Sequence, residues 1–264
     1  MSWALITNDD GITAPGLHAL AAAAVAAGLR VVIAAPAGEA SGAGSAVTAT
    51  RRDGHVPLTR HELPGLEGVP AYGVAAAPAF IPYAAARGWF PEPPSLVLSG
   101  INAGANLGSA IMHSGTVGAA LTGGRFGIRA LAVSLDSDAA PPGVEPRWDT
   151  AAGLLPTVLD LLADTPAGTV LTLNVPNLPA ERLAPLRVAS LATQGTLQTR
   201  VDSVDGSGLR VRLAERYGQV EPGSDVALLA AGHPTLTAVR SVSEDAVVPL
   251  ADLVAARLDG RPAR

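Results

Sequence analysis

WALITNDDGITAPGLHALAAAAVAAGLRVVIAAP, residues Trp3–Pro36, is the stretch on which the fold turns. Trp3–Thr7 is a short apolar run that stops at Asn8-Asp9-Asp10-Gly11, the pattern of a strand running into a loop. Pro15 suits the first turn of a helix that runs to about Gly28, where a glycine suits the C-terminal cap. Val31–Ala35 is a β-branched run closed by Pro36, and a loop of small residues, Gly38–Ser45, follows. Strand, helix and strand in that order predict the βαβ unit of a parallel sheet. The apolar run Leu17–Leu29 is interrupted by His18 and Gly28, so it reads as a buried helix and not as a membrane span.

Outward from this unit the alternation continues. Val69–Val74 reads as a strand, Pro78–Gly88 as a helix and Leu96–Leu98 as a strand. Gly100–His113 reads as a glycine- and asparagine-rich loop, followed by a helix to about Phe126 and the strand Ala130–Ser134. Trp148–Ala163 is predicted helical, leading to a strand at Thr169–Leu173 and a Pro/Asn turn. Beyond about residue 184, Leu186–Ser190 and Leu209–Arg216 read as strands joined by polar segments unable to fill a core. The expectation is one α/β domain, Rossmann-like with three layers and a mostly parallel sheet. Its core covers about 1–184 with about 217–264, and an antiparallel arm covers about 185–216. Val247–Leu258 has helical spacing.

Composition narrows the chemistry. The chain has 264 residues, 48% hydrophobic and 3% aromatic, so its core must be built from Ala, Val and Leu. A net charge of −5 argues against a surface that coats nucleic acid. The absence of cysteine leaves no disulfide and no thiolate ligand, as suits the cytoplasm. No basic n-region or cleavage site opens the chain, so neither a signal peptide nor a membrane anchor is expected. All 18 basic residues are arginine, a bias that base composition explains. It still excludes the phosphate-loop lysine, a pyridoxal Schiff base and a lysine nucleophile.

Three segments carry chemistry. Asp9 and Asp10 stand at the carboxyl end of the first strand, where open α/β sheets bind ligands. Two adjacent carboxylates call for a cation, and a hard divalent ion bound through oxygen provides one. The plainer alternative is a helix cap beside a solvated Asp. Pro36–Ser45 leaves the second strand toward the same crevice, and Ser41 offers a hydroxyl; taken alone, the segment reads more readily as a flexible surface loop. In Ser99–Gly118, Asn102 and Asn106 offer neutral amide oxygens. Ser114-Gly115-Thr116 begins a helix, whose free N–H groups suit a phosphate; an ordinary N-cap is the other reading. Convergence of all three at one edge points to a metal-assisted phosphatase. Asp9 and Asp10 would hold the metal, Asp10 would also orient a water, and Ser114, Gly115 and Thr116 would hold phosphate oxygens.

The blocks TNDDGITAPGL, AP…SGAGS and SGINAGANLG…HSGTVGAA resemble the SurE family of nucleotidases, in order and spacing over residues 5–134. Weaker echoes follow at Leu173-Asn174-Val175-Pro176 and at Gly223-Ser224-Asp225…Gly232…Thr237. The resemblance implies a Rossmann-like core and a C-terminal hairpin exchanged between subunits of a homodimer or homotetramer. It implies metal-dependent hydrolysis of nucleoside 5′- and 3′-monophosphates, with polyphosphate hydrolysis in some members. By motif, Asp9, Asp10, Ser41 and Asn102 match the ligands of one divalent ion per subunit, Mg, Mn or Co. Asn102, Ser114, Gly115 and Thr116 match the phosphate contacts, and Asp10, Asn102, Ser114 and Thr116 the catalytic positions. His113 stands where the family often has Tyr, Thr122 where Glu is common, and Thr237-Ala238-Val239 where the family has T-P-L.

Three rivals stay in view. An aspartyl-phosphate domain would need a lysine this chain lacks. A Rossmann-type dinucleotide module would need G-x-G-x-x-G after the first strand, which is absent. A SurE-like protein without activity, serving as a binding or assembly module, would have no use for the intact Asp9, Asp10, Ser41 and Asn102.

Overall fold

The computed structural model describes residues 3–138, 141, 143–193, 197–205, 208–215, 221–244 and 247–258. Its first unit forms as the opening stretch dictates. β1 (Ala4–Thr7) and β2 (Val31–Pro36) pair in parallel, Ala4 opposite Val31 and Ile6 opposite Ile33, with α1 (Pro15–Ala26) crossing between them. Every residue of both strands is buried, as expected for parallel strands covered on both faces. α1 ends where Gly28 adopts φ 81°, with Gly28 N and Leu29 N returning to Val25 O and Ala24 O.

The remaining strands are β3 (Leu58–His61), β4 (Ala71–Val74), β5 (Leu96–Ala103), β6 (Arg129–Asp136), β7 (Val170–Pro176), β8 (Arg187–Val188), β9 (Leu197–Asp205), β10 (Gly208–Glu215) and β11 (Thr235–Val239). A nine-stranded sheet has the order β3-β4-β2-β1-β5-β6-β7-β11-β8. From β4 to β7 all neighbours are parallel, while β3 runs antiparallel to β4, and β11 runs antiparallel to β7 and parallel to β8. The chain builds outward from β1 first through β2 and β4, then through β5, β6 and β7. The switch point therefore lies between β1 and β5, where ligands bind in open α/β sheets.

Alternation along β1 separates two apolar layers. Ala4 and Ile6 join a cluster with Leu17 and Leu20 of α1 and with Leu155, Val158 and Leu162 of α5 (Leu155–Ala163). Leu5 joins another with Ile81 of α2 (Phe80–Ala84) and Val117 and Ala120 of α3 (Gly115–Arg125). Helices thus cover both sheet faces, giving the three-layer α/β/α architecture that the period-2 side-chain pattern requires. No helix among the described residues is long and apolar enough to cross a membrane.

Several sequence expectations are corrected. β5 continues through Ala103, so Gly100–Ala103 is strand and not loop. The ladder to β6 shifts between Ser99 and Asn102, and a Cβ on Gly100 would lie 2.2 Å from Val133 O. The helix expected over Pro78–Gly88 is α2 followed by a kinked turn, Ala85–Trp89, in which Arg87 and Gly88 (φ 103°) leave helical geometry. Trp148–Ala163 is two helices, α4 (Trp148–Ala152) and α5, parted at Gly153-Leu154 ahead of Pro156. Arg187–Val188 pairs with β11 at the edge of the main sheet, and the hairpin is formed by β9 and β10, a two-stranded sheet of its own. Arg216, where the second arm strand was expected to end, lies outside the described residues. α6 (Asp225–Ala230) and α7 (Leu250–Leu258) complete the chain, the latter within the predicted helix.

Candidate active site

Asn8 shapes the turn after β1. Its Nδ2 donates to Gly11 O at 3.0 Å and its Oδ1 accepts from Gly11 N at 3.1 Å, closing the turn that presents Asp9 and Asp10. Gly11 makes this possible with φ 103°, and a Cβ there would lie 3.2 Å from the Gly38 carbonyl carbon. Asp9 is 4% exposed and Asp10 half-buried.

The N-terminus of α3 stands against Asp9. Thr116 Oγ1 donates to Asp9 Oδ1 and lies 3.3 Å from Asn102 Oδ1. A Cβ on Gly115 would lie 2.7 Å from Asp9 Oδ2 and 2.8 Å from Asp9 Cβ, so glycine is what lets the helix approach. Asn102 is held by Nδ2, which donates to Gly104 O at 2.7 Å and Ala103 O at 3.2 Å, leaving Oδ1 toward Thr116. Ser114 caps α3, its Oγ accepting from Val117 N at 3.1 Å.

The loop after β2 lies across the same edge. Ala40 N donates to Asp9 O at 2.8 Å, and Gly44 N donates to His113 O at 3.2 Å. A Cβ on Gly118 would meet Gly44 O at 2.3 Å, so that position too must be glycine for the loop to rest on α3. Ser41 itself is exposed, with Oγ donating to Glu39 Oε1 at 3.0 Å. The structure thus gathers Asp9, Asn102, Gly115 and Thr116, puts Asp10 and Ser114 beside them in sequence, and turns the Ser41 hydroxyl toward Glu39. His113 is exposed just ahead of the cap.

Electrostatics at this edge are one-sided. Burial pushes the Asp9 carboxyl up, opposed by the Thr116 hydroxyl and by backbone N–H groups at Thr116 and Gly115. Asp10 is pushed up to about 6, first by burial, then by the charge on Asp9, with Glu39 and Asp138 adding and an Ala103 backbone bond opposing. Asp136 is also raised, by burial and by Asp138. Two buried hydroxyls, Thr7 Oγ1 at the carboxyl end of β1 and Ser99 Oγ opposite it in the middle of β5, have unmet hydrogen-bonding capacity. A concentration of acid and unsatisfied oxygen suits a cation.

Sequence reading missed Glu39, Asp136 and Asp138. The signal existed for the last two, since Asp136 ends β6 and Asp138 lies just beyond it, and the parallel-sheet rule places both at this edge. Asn106, read as a possible ligand or donor for the site, has another task. Its Nδ2 donates to Ser134 Oγ at 2.8 Å and its backbone N to Asn174 Oδ1 at 2.8 Å, so it fastens the loop to β6 and β7.

Known proteins share this arrangement of blocks and fold. Residues 4–198 match the family described as "Survival protein SurE". The 5′-nucleotidase SurE of Symbiobacterium thermophilum is 40% identical over 247 residues, covering 90% of this chain and 92% of that protein. The 5′/3′-nucleotidase SurE of Edwardsiella ictaluri is 33% identical over 238 residues, covering 88% and 87% respectively. The crystal structure of the SurE protein from Aquifex aeolicus superposes with a TM-score of 0.77 at 28% identity, over 98% of this chain and 100% of that one. The chain is a member of the SurE family.

Proposed function

We propose that the chain is a metal-dependent phosphomonoesterase hydrolysing nucleoside 5′- and 3′-monophosphates. The observation that carries this reading is the meeting of Asp9 with Gly115 and Thr116, which sets a metal-binding carboxylate against a helix N-terminus suited to phosphate. Relatives named 5′-nucleotidase and 5′/3′-nucleotidase support the substrate class.

The donor set fits a hard divalent ion. Among the described residues no group of three or more His, Asp or Glu side chains is placed to hold a metal. Asp9 and Asp10 would therefore act with the neutral oxygens of Asn102 and Ser41, a set that suits Mg, Mn or Co. The largest charges acting on Asp10 are all negative, and a cation would relieve them. Ser41 would have to leave Glu39 to join.

When bound, the ion supplies polarisation of the phosphoryl oxygens and acidifies a water. The chain's own groups do the rest. Ser114, Gly115 and Thr116 hold the non-bridging oxygens, for which the Thr116 hydroxyl and the Gly115 and Thr116 N–H groups must exchange Asp9 for phosphate. Asp10 orients the attacking water. The water oxygen bonds to phosphorus as the ester P–O bond breaks, and the proton the water gives up passes to the leaving nucleoside oxygen. Short polyphosphate would place its terminal group in the same cradle. The β9–β10 hairpin, which pairs with itself as a two-stranded sheet, is marginal alone in water. We place it against a second copy of the chain in a homodimer or homotetramer.

Phosphate release from a panel of nucleoside monophosphates, with and without EDTA, tests the reading. Turnover restored by Mg²⁺, Mn²⁺ or Co²⁺ is the expected result. No turnover with any of the three contradicts it.

A further inference from the structure

The echoes at Asn174 and Asp225 lie outside the chemistry above, yet both reach the loop joining Asn102 to Ser114. Asn174 exchanges two bonds with the backbone of Asn106, accepting from its N at 2.8 Å and donating to its O at 2.9 Å. This fixes the first half of the loop. Its second half is held by Asp225, the first residue of α6 and 1% exposed. One carboxylate oxygen accepts from Gly108 N at 2.7 Å, and the other from Ala192 N and Val226 N at 2.9 Å each. Leu107, Ala192, Val226 and Leu229 form a buried apolar cluster around it. A carboxylate bonded to backbone donors in such surroundings is strongly oriented.

The same junction reaches the base of the hairpin. Ser109 N donates to Ala192 O at 3.0 Å and Ser109 Oγ to Thr193 O at 2.7 Å. Thr193 N donates to Glu221 Oε2 at 2.9 Å, and the Thr193 hydroxyl bonds the same carboxylate. Residue 193 precedes β9 and residue 221 follows β10, so Thr193 joins the loop to the residue that follows the hairpin.

We propose that Asp225 is a positioning residue for the phosphate cradle. By fixing Gly108 it sets the 3₁₀ turn Gly108–His113, which delivers Ser114 to the start of α3, and through Ala192 it couples that turn to the segment that precedes the hairpin. The proposal rests on the phosphatase reading. Because Asp225 acts on where the cradle stands, losing it weakens phosphate binding in ground and transition state alike and appears in KM.

Asp225→Asn is the test. Its amide nitrogen would set a donor against Gly108 N–H or against the N–H groups of Ala192 and Val226. KM for a nucleoside monophosphate is expected to rise about tenfold while kcat changes less than about threefold, with the inhibition constant for inorganic phosphate rising in parallel. The Ser114 amide, bonded to Ile111 O at 3.1 Å, is expected to exchange with solvent about tenfold faster. A merely structural role would lower kcat through a smaller folded fraction and leave KM and phosphate inhibition unchanged, and that result overturns the proposal. If Asp225→Asn does not fold, Ser109→Ala removes the bond to Thr193 O. A KM about threefold higher at constant kcat is then expected, and a wild-type KM overturns the proposal. Exchange separates the two readings. An inactive wild type contradicts the phosphatase reading, whereas unchanged exchange at Ser114 in folded Asp225→Asn contradicts the role of Asp225.

Discussion

Asp9 and Ser41 stand on neighbouring loops of one sheet edge, yet they are held in opposite ways. Asp9 is enclosed, with Thr116 on its carboxylate, Gly115 against its Cβ and Ala40 N on its carbonyl. Ser41 is exposed, its hydroxyl directed to Glu39. The carboxylate half of the proposed site is held by packing, whereas on the proposed reading the Ser41 hydroxyl has still to be drawn in by the ligand. Mutations on the two sides should therefore differ in size and in kind.

The largest effect belongs to the fixed side. Asp9→Asn keeps the shape and removes the charge, and phosphate release is expected to fall by about 10³-fold or more, roughly 4 kcal/mol of transition-state stabilisation. The far-ultraviolet circular dichroism spectrum should be unchanged; a protein that unfolds as it loses activity would make the pair structural. Gly115→Ala comes next. Its Cβ would lie 2.7 Å from Asp9 Oδ2, so α3 must retreat, and kcat/KM is expected to fall about 10²-fold. Wild-type kcat/KM in this variant would show that the close approach is dispensable.

Ser41→Ala should be gentler. At an exposed position it leaves the melting temperature near the wild-type value, while the metal concentration for half-maximal activity rises about tenfold. An unchanged metal requirement would remove Ser41 from the donor set.

The smallest effect is on stability and depends on pH. Asp10 has its folded pKa raised from 3.8 to about 6, so between those values the folded chain keeps a proton that the unfolded chain has released. Apo-protein stability from this group is therefore lost as pH rises from about 4 to about 6 and is level above. The melting temperature in EDTA should fall over that window, less steeply in Asp10→Asn. Metal binding runs the other way, weakening up to tenfold per unit as pH falls below about 6, because the ligand must shed its proton. An Asp10→Asn melting profile parallel to the wild type would contradict the assignment.

Legibility followed the range of the determining contacts. The β1–α1–β2 unit could be read because apolar runs, Pro15 and Gly28 act locally. β3 and β11 were not, since LTRH of β3 is largely exposed and lacks an apolar run, and both strands are defined by the partners they pair with. β5 past Gly100 looked like loop because glycine and asparagine disfavour strands, yet pairing with β6 resumes at Asn102. In the site, Asp9, Asp10 and the Ser114-Gly115-Thr116 run were visible as chemical types at strand and helix ends. That Thr116 is bonded to Asp9, that Asn106 fastens a loop and that Glu39 and Asp138 bear on Asp10 depend on distances no spacing rule carries.

The most direct measurement is a crystal structure with Mn²⁺ and orthovanadate bound. The expected result is an anomalous peak among Asp9, Asp10, Asn102 and a reoriented Ser41, with vanadate oxygens on the Gly115 and Thr116 amides. Manganese bound away from Asp9 and Asp10, or vanadate seated away from the start of α3, would contradict the account.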